Sequence, residues 1–203
     1  MNLSDAENAG GMDSVHLAET LISSEKILAG NFLQICRDMV SLPDGRHTTR
    51  EYVVHPGAVM IIALLDDGRV VLERQYRYPV HAVMIEFPAG KLDEGESSLD
   101  CARRELQEET GYTAHEWARA GVLHPAISYS TEFIDIWFAR RLTLGERQLD
   151  SGEFLDVISA TPDELMKWCG SGQVSDAKTL TGMLWLNNVL SGAWTLEWTA
   201  AGL

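Results

Sequence analysis

The chain has 203 residues, 45% of them hydrophobic, enough for one well-packed domain with a small appendage. Its 30 acidic residues against 16 basic ones give a net charge of -14, which argues against long nucleic acids and anionic membrane surfaces as partners. A small anionic ligand is compatible with that charge, because local arginines or a bound cation can invert the field inside one cleft.

In chain order, residues 1–14 (MNLSDAENAGGMDS) read as a loose acidic tail, without the basic and then apolar pattern of a signal peptide. With no apolar run of the roughly 20 residues that span a bilayer, a cytoplasmic location is expected. Residues 15–55 form a strand-rich subdomain: short apolar pieces between Ser24 and Val54 flank a turn signal at Pro43-Asp44-Gly45. Residues 56–203 form the main domain. It opens with two apolar strands, AVMIIALL and RVVLERQYR, split by Asp66-Asp67-Gly68, which predicts a hairpin. MIEFP (84–88) reads as a further strand ending at Ala89-Gly90. Cys36, Cys101 and Cys169 are odd in number and lack a CxxC pair, so reduced, structural thiols are expected. The six histidines lack HxH or HxxxH spacing and offer no soft-metal site.

Ser97 followed by Asp100, apolar Leu99, Ala102 and Leu106 at spacings of three and four, and a stopping Gly111 predict a helix over about Ser98 to Thr110. On about 3.6 residues per turn, Glu105, Glu108 and Glu109 fall within an arc of about 100° beside the apolar stripe. Such like charges repel unless something positive sits among them. Spacing alone admits two readings, a solvated acidic face or a hard-oxygen site for magnesium or manganese.

The stretch from Gly90 to Tyr112 resembles the Nudix box, G(x5)E(x7)REUxEExGU, where U is a bulky apolar residue. Gly90, Glu96, Arg104-Glu105-Leu106, Glu108-Glu109 and Gly111 fall at its fixed positions, and Tyr112 is aromatic where the pattern has an aliphatic residue. The resemblance implies an α/β Nudix fold, a mixed β-sheet sandwiched between helices, here with the small N-terminal β-rich subdomain. It also implies Mg2+- or Mn2+-dependent hydrolysis of a nucleoside diphosphate linked to another moiety. Glu105, Glu108 and Glu109 are then metal ligands, joined by the carbonyl of Ala89. Glu96 and Arg104 tie the loop to the helix, and with Glu105 both count among the catalytic groups.

RQYRYPV (74–80), IEFPAGKLDEGE (85–96), HPAISYSTEFI (124–134) and VSDAKTLTGMLWL (174–186) resemble the ADP-ribose pyrophosphatase branch, with Pro125 placed 14 residues after Gly111 as one of its marks. The substrate this implies is ADP-ribose or a similar nucleoside diphosphate sugar, cleaved to AMP and ribose 5-phosphate. Other nucleotide sugars, a dinucleotide, or a non-turnover nucleotide sensor are the alternatives. By the same resemblance Arg77 contacts the pyrophosphate, Glu86 lies near the base or ribose, and Arg50 reaches a neighbouring subunit's site in a homodimer paired through N-terminal strands. For each arginine a surface ion pair is the alternative, and the fit of a guanidinium to phosphate favours the pyrophosphate contact at Arg77. Glu153 in LDSGEF is the expected mobile general base, with Glu132 of STEF or a box glutamate as competitors. Trp168, Trp185, Trp194 and Trp198 are expected in C-terminal helices, as packing residues.

Overall fold

The computed structural model describes residues 14–200. The expected tail, apart from Ser14, lies outside the described residues. Two compact units are present. One runs to Val54 and includes Ser128–Ser130, and the other comprises His55–Ile127 and the chain from Thr131 onward.

The first unit is an antiparallel three-stranded sheet of β1 (Thr20–Ala29), β2 (Gln34–Ser41) and β3 (His47–Val54), in that order. The β2–β3 turn falls at the anticipated Pro43-Asp44-Gly45, where Gly45 takes φ +82° and Asp44 binds the Arg46 backbone and side chain. The Val53 amide donates to the carbonyl of Tyr129 at 2.9 Å. β1 is exposed along its whole length, including Leu21, Ile22, Ile27 and Leu28.

The second unit contains β4 (Ala58–Ala63), β5 (Val70–Arg77), β6 (Ala82–Glu86), β7 (Ala89–Lys91), α1 (Ser98–Thr110), β8 (Tyr112–Leu123), β9 (Ile134–Leu144), β10 (Leu155–Ala160), α2 (Pro162–Ser171), α3 (Ala177–Leu190) and β11 (Thr199–Ala200). Two sheets form, ordered β11-β8-β9-β4-β7 and β10-β5-β6. The first is mixed, since β4 runs parallel to β9 and antiparallel to β7.

All six residues of β4 are buried, which a strand covered on both faces requires of its sequence. Successive side chains point to opposite sides, so Val59, Ile61 and Ala63 pack with Leu106, Ala102 and Cys101 of α1, whereas Met60 and Ile62 pack with Phe87, Met183 and Leu186. The sheet is thus held between helices, as a Nudix fold requires. Full burial of a side chain such as Leu106 contributes about 2 kcal/mol, and its truncation to alanine would cost about 2–5 kcal/mol because a cavity remains.

The Asp66-Asp67-Gly68 turn forms, with the Leu65 amide donating to the Arg69 carbonyl and the Gly68 amide to the Leu65 carbonyl, yet the hairpin stops at one bridge between Leu64 and Val70. β4 and β5 then enter different sheets. The reason lies in competition for partners: β4 is flanked by β7 and β9, and β5 by β6 and β10. The C-terminal tryptophans also differ from expectation. Trp168 and Trp185 lie in α2 and α3, but α3 ends at Leu190 before Gly192 at φ +75°, leaving Trp194 and Trp198 beyond it. Trp194 packs edge-on against Trp185, and the Arg140 guanidinium lies 3.9 Å from the Trp198 ring centre. No helix among the described residues is long and apolar enough to cross a membrane.

Candidate active site

Helix α1 begins and ends as its sequence dictates. The Ser97 hydroxyl accepts from the Asp100 amide at 3.2 Å, and Gly111 adopts the left-handed conformation at φ +76°. Cys101, Ala102 and Leu106 face the core, which carries Glu105, Glu108 and Glu109 round to the edge of that buried stripe. β7 runs past them, paired to β4 with Gly90 opposite Val59. A Cβ at Gly90 would fall inside the Glu105 carboxylate, so a residue without one is needed where strand and helix approach.

Arg104 organises the loop before the helix. Its Nε and Nη2 donate to the two oxygens of Glu96 at 2.9 and 2.8 Å, Nη1 donates to Glu105 at 2.8 Å and to Glu108 at 3.0 Å, and Nη2 also reaches the Lys91 carbonyl at 3.1 Å. Glu96 accepts from the Asp93 amide as well. The paired guanidinium and this amide pull the Glu96 carboxyl down to about 2, against a smaller upward push from burial. Glu96 is therefore a fastener between loop and helix.

Glu109 is only 3% exposed, and it accepts from the Ala89 amide at 3.1 Å, which sets the Ala89 backbone against its carboxylate. Burial raises its proton affinity, and the charges of Glu73, Glu105 and Glu153 raise it further. Glu105 is raised too, chiefly by burial. Glu73 was not foreseen from the sequence. It is 0% exposed on β5, opposite Glu86 of β6, and neither of its carboxylate oxygens has a hydrogen-bond partner. The one signal for it was an acid inside the apolar run VVLERQY.

Alternation along β5 puts Glu73, Gln75 and Arg77 on one face. Arg77 makes a two-pronged pair with Glu86 (Nε–Oε1 2.7 Å, Nη2–Oε2 2.8 Å), and Lys178 at the start of α3 also holds Glu86 Oε2. Glu86 is 2% exposed with both oxygens engaged, so its carboxylate serves to orient Arg77. Burial would raise the Glu86 carboxyl, but Arg77 and Lys178 outweigh it and leave it lowered. Lys178 is itself placed by Asp176, which caps α3 through the Thr179 amide at 2.9 Å, while the Thr179 hydroxyl accepts from the Phe87 amide at 3.1 Å. Lys178 also escaped the sequence reading, although it stands in the VSDAKT segment.

Gln75 donates to Glu153 at 3.3 Å, and the charge of Glu153 acts on Glu73, Glu105 and Glu109. Glu153 thus faces the carboxylate cluster from the loop before β10. Glu132 instead stands 4.0 Å from the His55 imidazole. In the N-terminal unit Arg50 forms a two-pronged pair with Glu19, at 2.6 and 3.0 Å. A surface cavity of about 350 Å³ lined by Arg74, Tyr76, Val83 and Phe154 opens on the other face of β5, away from these acids.

No group of three or more His, Cys, Asp or Glu donors among the described residues is already drawn to metal-binding spacing. The residues nevertheless fit a hard cation. Their donors are carboxylate oxygens, Glu73 and Glu109 are buried with proton affinity raised chiefly by that burial, Glu73 has both oxygens unpartnered, and Arg104 occupies one side of Glu105 and Glu108 as a positive counterpart.

Known proteins agree with this architecture. The NUDIX domain family matches residues 54–180, and the nucleoside diphosphate sugar hydrolase N-terminal domain matches residues 19–53. An ADP-ribose pyrophosphatase of Bacillus subtilis is 36% identical over 172 residues, spanning 84% of this chain and 93% of that protein. A methanol dehydrogenase activator of Bacillus methanolicus is 37% identical over 172 residues, spanning 83% and 92%. A solved structure described as an ADP compounds hydrolase matches with a TM-score of 0.78 at 23% identity, covering 86% of this chain and 95% of that one, a likeness of fold. With its box seated on α1, its sheet held between helices and a family match over more than half its length, the chain belongs to the Nudix hydrolases.

Proposed function

We propose that the protein hydrolyses the pyrophosphate bond of ADP-ribose, or a similar nucleoside diphosphate sugar, to AMP and ribose 5-phosphate. The observation that carries this reading is the seating of Glu105, Glu108 and Glu109 on one face of α1 against the Gly90 backbone, in a chain similar over most of its length to an ADP-ribose pyrophosphatase. Mg2+ or Mn2+ would be held by these three carboxylates and the Ala89 carbonyl. Such a cation supplies charge neutralisation at the phosphoryl oxygens and lowers the pKa of a coordinated water.

The chain's own residues supply the rest. Arg77, steadied by Glu86 and Lys178, offers its guanidinium to the pyrophosphate. Glu153, within reach of Gln75, takes the proton from the attacking water as its oxygen bonds to phosphorus. The bond from that phosphorus to the bridging oxygen breaks, and the second phosphate leaves with the electron pair. Arg104 and Glu96 hold the loop so that the Ala89 backbone and the helical acids stay in register. The exposed apolar strand β1 supports a homodimer joined through the N-terminal sheets, in which Arg50 would turn from Glu19 to the partner's substrate. Sedimentation equilibrium tests this, with twice 22.5 kDa expected. Three free thiols suit a reducing cytoplasm.

The direct test is a panel of nucleotide sugars and dinucleotides with Mg2+, read by product identification. AMP and ribose 5-phosphate from ADP-ribose, lost on adding EDTA, is the expected result. Preferred cleavage of another nucleotide would move the substrate assignment, and tight binding without any turnover would make the protein a sensor.

A further inference from the structure

Glu73 is the buried acid that this mechanism leaves without work. It lies in an apolar run where valine or isoleucine would complete β5, yet it is fully buried and neither oxygen is hydrogen-bonded. Burying a carboxylate without partners costs several kcal/mol, a cost a fold does not need at this position. The positive charges of Arg77 and Lys178 offset this only in part, and neither donates a hydrogen bond to Glu73. Arg77 and Lys178 both donate to Glu86, and Arg104 is engaged with Glu96, Glu105 and Glu108. The negative charges of Glu86 and Glu153 act on Glu73 as well, and Glu73 in turn acts on Glu109. Carboxylates from β5, α1 and the β10 loop thus act on one another around a buried acid that no cation of the chain hydrogen-bonds.

We propose that Glu73 supplies a further carboxylate to the divalent-cation site, from the sheet side, facing Glu109 of α1. The inference rests on the metal role given above to Glu105, Glu108 and Glu109. It extends that site from one helix to a strand, so that β5 carries a cation-binding acid at Glu73, the Gln75 contact to Glu153 and the Arg77 fork on a single face. A cation would then tie the two elements together, and its binding would stiffen the contact between sheet and helix.

The test uses Mn2+ alone with the full chain. Binding is measured by calorimetry and by the free-Mn2+ electron paramagnetic resonance signal, for wild type, Glu73→Gln and Glu109→Gln, with melting temperatures taken with and without Mn2+. Without metal, Glu73→Gln should fold and melt at or above the wild-type temperature, because a neutral amide replaces a buried acid. With Mn2+ it should bind about 10- to 100-fold more weakly at one site and show a smaller rise in melting temperature. Unchanged Mn2+ affinity in Glu73→Gln beside a loss in Glu109→Gln would overturn the Glu73 assignment while leaving the helical site standing. Unchanged affinity in both variants would overturn the helical metal site as well. A Glu73→Gln chain that melts lower than wild type without metal would also contradict the proposal, because Glu73 would then be a structural acid.

Discussion

Replacing Gly90 by alanine would put a methyl group where the Glu105 carboxylate now sits. Carbon atoms without a bond between them rest about 3.5–4 Å apart, so that carboxylate would have to withdraw by roughly 1 Å or more, breaking its 2.8 Å bond from Arg104. The backbone itself accepts alanine: Gly90 does not need the left-handed conformation, and it pairs regularly with Val59. The two stability terms nearly cancel. Alanine in a strand gains about 0.5–1 kcal/mol over glycine, and losing one arm of a partly exposed ion-pair network costs about as much. Function has no such compensation, because a 1 Å misplacement of a catalytic group costs about 100-fold, close to 3 kcal/mol of transition-state stabilisation. Gly90→Ala should therefore melt within a few degrees of wild type while kcat/KM for ADP-ribose falls about 100-fold and Mn2+ binds more weakly. The assays are differential scanning calorimetry, AMP release and Mn2+ titration. Wild-type turnover and Mn2+ affinity in this variant would refute the seating of Glu105 against β7.

Further outcomes are expected from other perturbations. Glu153→Gln should lower kcat and remove the acidic limb of the pH-rate profile, whereas Glu132→Gln should leave that limb in place; the reverse pattern would transfer the base role to Glu132. Because Arg104 holds the Glu96 carboxyl at about 2 in the folded chain, its contribution to stability is complete above about pH 4.5 and is lost as the pH falls toward 2. Glu96→Gln should accordingly flatten the dependence of melting temperature on pH across that window, and an unchanged slope would mean that the Arg104–Glu96 pair is not formed in solution. Burial pushes the Cys101 thiol up, so a thiol reagent should label Cys36 and Cys169 before Cys101 in the native protein.

Helix α1 was readable from its sequence because cap, apolar spacing and stopping glycine all pointed the same way, and local chemistry was sufficient. The turn at Asp66-Asp67-Gly68 was equally local and equally readable. What it joined was not, because β4 and β5 are claimed by strands far along the chain, β9 and β10 among them. The same limit explains the site. Glu105, Glu108 and Glu109 share a face by helical period alone, but Glu73 comes within electrostatic reach of Glu109 only in the folded chain, and a lone acid in an apolar run carries no spacing to announce it. Glu86 stands out in IEFPAG by resemblance, but that it is held by Arg77 and Lys178, from different elements, is visible only in the folded chain. Lys178 depends on the Asp176 cap of α3, a contact between neighbours whose consequence appears only where α3 meets β6.

In the proposed reaction the acids of α1 act on ADP-ribose with a divalent cation. Steady-state hydrolysis of ADP-ribose at saturating Mg2+, compared between wild type and Glu109→Gln of equal melting temperature, tests it most directly. AMP and ribose 5-phosphate are expected from the wild type, with a kcat lower by orders of magnitude in the variant. Near-normal turnover by Glu109→Gln, or no AMP from the wild type, would contradict it.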